Sequence, residues 1–198
     1  MVPQTEQIVY FEDTSTWRAN TKRLVEVVGS ALATSRIKHV VFATCTGYTG
    51  AQFAKLAQAH PKVNFLGVGM SAAIDRIYDV KWNAAHGKAM EGAGVRFIRG
   101  THVLTGGADR AMRAKFDGGF PPTAIVAETL YLFSQGMKVC VEIIAMACDA
   151  GALPEGVEVI SCAGTGNGAD TAIVATSAAS ANLFEMGIHR ILAMPVKK

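Results

Sequence analysis

Apolar residues follow two spacings along this chain. Short, nearly uninterrupted runs at 8–11, 39–44, 63–68, 95–99, 157–163, 171–177 and 190–194 have the length and β-branched content of buried strands. Between them the spacing changes to that of a helix: Leu24, Val25, Val28 and Leu32 recur on one face of residues 17–33, behind a Thr14-Ser15-Thr16 capping cluster. Further helices are predicted over 51–59, ended by Pro61, and over 82–91. Others run from just after Gly107 to Lys115, from the Pro121-Pro122 pair to about Ser134, and from Met137 to Ala150. Gly118-Gly119 and Gly136 read as breaks between helices, and residues 69–81 carry neither period and read as loop.

Strands alternating with helices predict an α/β fold of three layers, αβα, with a mostly parallel, right-handedly connected sheet. The last strands depart from that rule. Residues 171–177 are as β-branched as a strand and follow 157–163 after a short loop, so this pair is expected to be an antiparallel hairpin. The 198 residues fit one domain spanning 1–198. In a parallel sheet the loops leaving the strand C-termini share one edge, which should bring together Glu12, Thr44 to Thr49, His102 and residues 164–171.

Half of the residues are hydrophobic and 18% are charged, so part of the surface is expected to be covered in a homo-oligomer. Apolar runs are too short and too often broken by charge to span a bilayer, so no membrane partner is expected. Residues 1–7 lack a secretory pattern, which makes the cytoplasm the expected compartment. The net charge of +3 is scattered rather than clustered and points away from nucleic acid. Cys45, Cys140, Cys148 and Cys162 form no C-x-x-C pair, and the histidines show no ligand spacing. Neither a metal site nor a disulfide framework is expected.

Candidate chemistry concentrates in two loops and one helix. Gly164-Thr165-Gly166-Asn167-Gly168-Ala169-Asp170-Thr171 has glycine at alternate positions, which lets backbone N–H groups converge on an anion. Its spacing also fits the dinucleotide fingerprint G-x-G-x-x-A. That motif requires a helix at this point, whereas the following residues read as strand; a glycine-rich turn that binds nothing is the plain alternative. Thr44-Cys45-Thr46-Gly47-Tyr48-Thr49-Gly50 joins a buried strand to a helix N-terminus, a second place for a phosphate, though threonine N-caps have the same composition. Helix 137–150 is apolar nearly all round apart from Lys138 and Glu142, one turn apart, which form either an internal ion pair or polar groups facing a cavity, Glu142 otherwise being protonated. His102 follows a strand end and precedes a glycine pair, where it can serve a ligand or be structural.

The two loops resemble those of the C-terminal α/β domain of pyruvate kinase: Thr44, Thr46, Gly47 and Thr49 match its effector-phosphate loop, and 164–171 its later glycine loop. A resemblance over nearly the whole chain is to small stand-alone prokaryotic proteins that are pyruvate kinase alpha/beta-domain-like. It is carried by Tyr10-Phe11-Glu12, Asn20, Thr101-His102-x-Leu104-Thr105-Gly106, Gln135-Gly136-x-Lys138-Val139, Glu142, Asp149-Ala150-Gly151 and the two loops. Since some members hold flavin mononucleotide (FMN), the resemblance implies FMN as cofactor and a small phosphorylated ligand as partner. The binding residues it implies are Thr44, Thr46, Gly47, Thr49, Thr101, His102, Lys138, Glu142, Gly164, Thr165, Gly166 and Gly168, with His102 and Glu142 as candidate catalytic groups. A non-catalytic sensor of a phosphorylated metabolite is the alternative. The chain lacks the (β/α)₈ barrel of a full pyruvate kinase, so that activity is not expected. Cys45 and Tyr48 also depart from the hydroxyl-rich effector loop.

Overall fold

The computed structural model describes residues 7–116 and 121–196. Seven strands form one sheet: β1 (Val9–Phe11), β2 (His39–Ala43), β3 (Asn64–Met70), β4 (Arg96–Gly100), β5 (Glu158–Ala163), β6 (Thr171–Thr176) and β7 (Ile188–Pro195). Their order is β1-β7-β6-β5-β2-β3-β4. β6 is antiparallel to both neighbours and the remaining pairings are parallel, so the strand pattern at the C-terminus is the expected hairpin. The helices are α1 (Trp17–Thr34), α2 (Tyr48–Ala59), α3 (Ala72–Ile77), α4 (Ala84–Gly92), α5 (Gly107–Lys115), α6 (Pro122–Tyr131) and α7 (Gln135–Asp149).

Alternation along β2 separates two apolar cores. Val40 and Phe42 pack with Leu24, Val28 and Leu32 of α1, Phe53 and Ala57 of α2 and Met90 of α4; Phe42 and Phe53 stack with ring centroids 4.6 Å apart. Val41 points the other way, into a core with Cys140, Ile144 and Ala147 of α7. Helices therefore cover both faces. Every residue of α7 is buried except Gln135, Val139 and Asp149, as its nearly uniform apolarity predicts.

Several local expectations change. Residues 69–81 are not one loop: β3 continues to Met70, which pairs with Gly100 of β4, and α3 follows at once. Ser71 opens α3 with its hydroxyl accepting from the Ile74 N–H, and the only buried residues of that helix are Ile74 and Asp75, too few to produce an apolar period. Trp82 stays outside α4, packing on Phe97 at 4.5 Å, while Asn83 caps the helix by accepting from the N–H groups of Ala85 and His86. Helix α6 stops at Tyr131, because Ser134 serves as the N-cap of α7 and accepts from the Met137 N–H at 2.9 Å. Gly136 is not a break; it lies in the first turn of α7, where a Cβ would collide with the Thr171 side chain. The expected Gly118-Gly119 break lies outside the described residues.

The topology decides where a ligand can sit. β2 lies between β5 and β3, and α2 leaves β2 toward one face while α7 reaches β5 from the other. The strand order reverses there, and a crevice opens beyond the strand C-termini.

Candidate functional site

The crevice is a cavity of about 510 Å³ at the C-terminal ends of β2, β3 and β5. One wall is the loop after β2. Thr44 is 3% exposed; its N–H donates to the Val68 carbonyl at 2.9 Å, and its Oγ1 accepts from the Gly50 N–H at 3.3 Å. Thr46 Oγ1 accepts from the Tyr48 N–H at 3.4 Å. Between them Gly47 has φ +86°, a backbone conformation that L side chains rarely adopt, and a Cβ there would lie 2.8 Å from the His86 Cβ. With hydroxyls satisfying first-turn N–H groups and Gly47 in the left-handed region, α2 starts at Tyr48, three residues before the sequence places it. Thr49 thereby becomes a buried part of the cavity wall.

The second wall is the loop of the β5–β6 hairpin, reached because β5 pairs directly with β2. The loop folds on itself: a Cβ on Gly164 would lie 2.5 Å from the Gly168 carbonyl oxygen, and the Thr165 N–H donates to Asp170 Oδ2 at 3.0 Å. Asp170 Oδ1 accepts from Thr171 Oγ1, which in turn meets the Ser134 hydroxyl at 3.1 Å and so ties the loop to the start of α7. On the other side the Ala169 N–H donates to Thr21 Oγ1 at 2.9 Å, and Gly168, at φ +65°, lies against Trp17. Gly166, at φ +77°, forms the open tip: a Cβ added there would have no neighbour within 4 Å.

The inner wall is polar and closely packed. Lys138 and Glu142 are 3% and 1% exposed, with Nζ to Oε2 at 2.5 Å. Lys138 Nζ also donates to Thr105 Oγ1 at 2.7 Å, and Glu142 Oε1 accepts from the Leu104 N–H at 2.9 Å. Both readings of this pair hold together: it is an ion pair and it lines the cavity. His102 lies on the same wall. Burial pushes its imidazole below the ordinary value, Glu142 pulls it up, and Lys138 lowers it again. Burial likewise raises the Cys45 thiol, opposed by a Met70 backbone hydrogen bond and Arg99 and reinforced by Asp75, which argues against a reactive thiolate.

Of the residues named from sequence, Thr44, Thr46, Thr49, His102, Lys138, Glu142, Gly164, Gly166 and Gly168 line this one cavity. Gly47, Thr101, Thr165 and Glu12 do not. Gly47 shapes the turn behind it, Thr101 is exposed beside Gly107, Thr165 Oγ1 is buried without a partner behind the loop, and Glu12 is exposed. Sequence reasoning missed Trp17, Tyr78, Arg110, Tyr131 and Met146, which come from helices or their ends, with no motif to mark them. Trp17 and Tyr48 meet edge to face at 4.9 Å, making an aromatic rim. No group of three or more His, Cys, Asp or Glu able to hold a metal occurs among the described residues, and no described helix is long and apolar enough to cross a membrane. No family model matches this sequence.

The depressed His102 pKa has a consequence for stability. The unfolded chain, with imidazole near its ordinary value of about 6.5, binds a proton that the folded state resists. The contribution of neutral His102 is therefore complete above that value and is lost as pH falls from it toward and through the lower folded-state value. Lowering pH from about 7.5 to about 5.5 should reduce the urea midpoint, and His102→Gln should flatten that dependence. An unchanged slope in the variant would show that His102 titrates alike in both states.

Proposed function

We propose that this chain is a flavin mononucleotide-binding protein of the pyruvate kinase C-terminal α/β-domain-like kind, with oxidation–reduction as the reaction class that a bound flavin would support. The observation that supports it most is the convergence of two glycine-bearing loops, from the adjacent strands β2 and β5, on one cavity. Its volume of about 510 Å³ falls in the range of small-molecule sites, roughly 300–1,000 Å³.

The lining fits the chemistry of such a ligand. Thr44, Thr46 and Thr49 would hold the phosphate at the start of α2, on the turn that Gly47 shapes, where the helix dipole favours negative charge, and the glycine loop would close over it. Tyr131, Val139, Ile143 and Met146 supply an apolar slot for a planar ring system, with His102, Lys138 and Glu142 at its polar side. When bound, the flavin supplies the two-electron chemistry; the protein's part is to position it, exclude water and hold neutral His102 beside it. Exposed Leu132, Phe133 and Phe184 are apolar surface that a homo-oligomer would cover.

A second reading, a non-catalytic sensor of a phosphorylated metabolite, is favoured by the engagement of both Glu142 oxygens, which keeps that carboxylate from acting as a base at the cavity. One experiment separates the two. Freshly purified protein should show a flavin absorption band or take up FMN. In a thermal-shift panel FMN should outrank riboflavin, nucleotides and sugar phosphates, with about 2.7 kcal/mol of added stability at 100 times Kd. A sugar phosphate outranking every flavin would establish the sensor reading, and no uptake at millimolar FMN would end the flavin one.

A further inference from the structure

The walls of the cavity are unequal. β2, β5 and α7 are deeply packed, whereas the outer side is bounded by α3 and α5, which follow the edge-side strands β3 and β4. Helix α5 has no buried residue, and α3 is held by Ile74 and by the ion pair of Asp75 with Arg99 of β4. Beyond Asp75 the chain is exposed through Asp79, which sits at φ +49°, a strained conformation for a residue with a side chain. Segments with so few buried contacts open at low free-energy cost.

Arg110 links these two elements, α5 being also tied to α6 by the Thr123 hydroxyl, which donates to Asp109 Oδ2. Arg110 of α5 donates from Nη1 to the Tyr78 hydroxyl at 3.3 Å, with its guanidinium carbon 5.6 Å from the Tyr78 ring centroid. Both residues line the cavity, and Tyr78 is 59% exposed, so the contact lies at the mouth. We infer that Tyr78 and Arg110 form a latch across the mouth of the cavity, and that parting of α3 from α5 admits and releases the ligand. The loops on the far wall bind; this pair controls access. The inference adds a gate to the site proposed above and needs no particular ligand.

Cys45 supplies a ligand-free probe, because it lines the cavity and is half-buried while Cys140, Cys148 and Cys162 are buried. Burial holds its thiol above the ordinary value, so iodoacetamide at alkaline pH alkylates it slowly, through the small thiolate fraction that displaces iodide, and peptide mass spectrometry follows the rate. Arg110→Ala and Tyr78→Phe should each speed modification of Cys45 by about two- to five-fold, the population shift expected from losing one solvent-exposed hydrogen bond. Tyr78→Phe keeps the ring, so a merely static obstruction leaves its rate at the wild-type value. Unchanged rates in both variants overturn the latch, whether or not FMN binds. With FMN as probe, both variants should also exchange it faster; failure of FMN to bind bears on the flavin reading alone.

Discussion

Replacing Lys138 with methionine is expected to destabilise the protein by about 3–5 kcal/mol, because it strands the Glu142 carboxylate where that side chain is 1% exposed. Methionine keeps most of the volume, so the cost comes from charge rather than from a cavity. Part of the neighbourhood survives: the Leu104 N–H still reaches Glu142 Oε1, whereas Thr105 loses its ammonium partner. The double variant Lys138→Met with Glu142→Gln should recover most of the loss, since glutamine still offers an oxygen to Leu104 while the unpaired charge is gone. Urea denaturation at constant slope measures both. A single-variant loss below about 1 kcal/mol would mean that water reaches the pair and screens it.

The second large effect is on binding. Thr46→Val combined with Gly166→Val should weaken FMN by about 100-fold or more, the equivalent of two charge-assisted hydrogen bonds. Thr46 lies at the start of α2 on the cavity wall, and valine removes its hydroxyl. Gly166 sits at φ +77° on the open tip of the hairpin loop, where a β-branched side chain would drive the loop out of its present conformation without striking a neighbour. Riboflavin, which lacks the phosphate, is the control. Its affinity should change little, and equal losses for both ligands in a calorimetric titration would show that the loops do not hold the phosphate.

The parts of the fold that were legible have a common cause. Buried strands such as β2 and β5 and the nearly all-apolar α7 must exclude water on every side, and that requirement is written continuously into their residues. Helix α3 leaves no comparable trace, because a six-residue helix with two buried positions needs no period. Gly136 misled for a different reason. Glycine commonly ends helices, but here it lets α7 approach the Thr171 side chain, a contact between residues far apart in the chain.

The candidate site divides along the same line. Its two loops announce themselves, since glycine at alternate positions and threonines before a helix are local solutions to a local backbone problem. Sequence by itself determined those loops, the strand-and-helix alternation and the presence of two charges on an apolar helix. Only the tertiary structure decided that β5 inserts beside β2, which places loops more than a hundred residues apart against one cavity. It also decided that the Lys138–Glu142 pair is held there, with Thr105 on the ammonium and the Leu104 N–H on the carboxylate, and that Tyr78 and Arg110 meet at the mouth. Pairing across a sheet and packing between helices depend on the whole chain at once, so no short stretch of residues carries them.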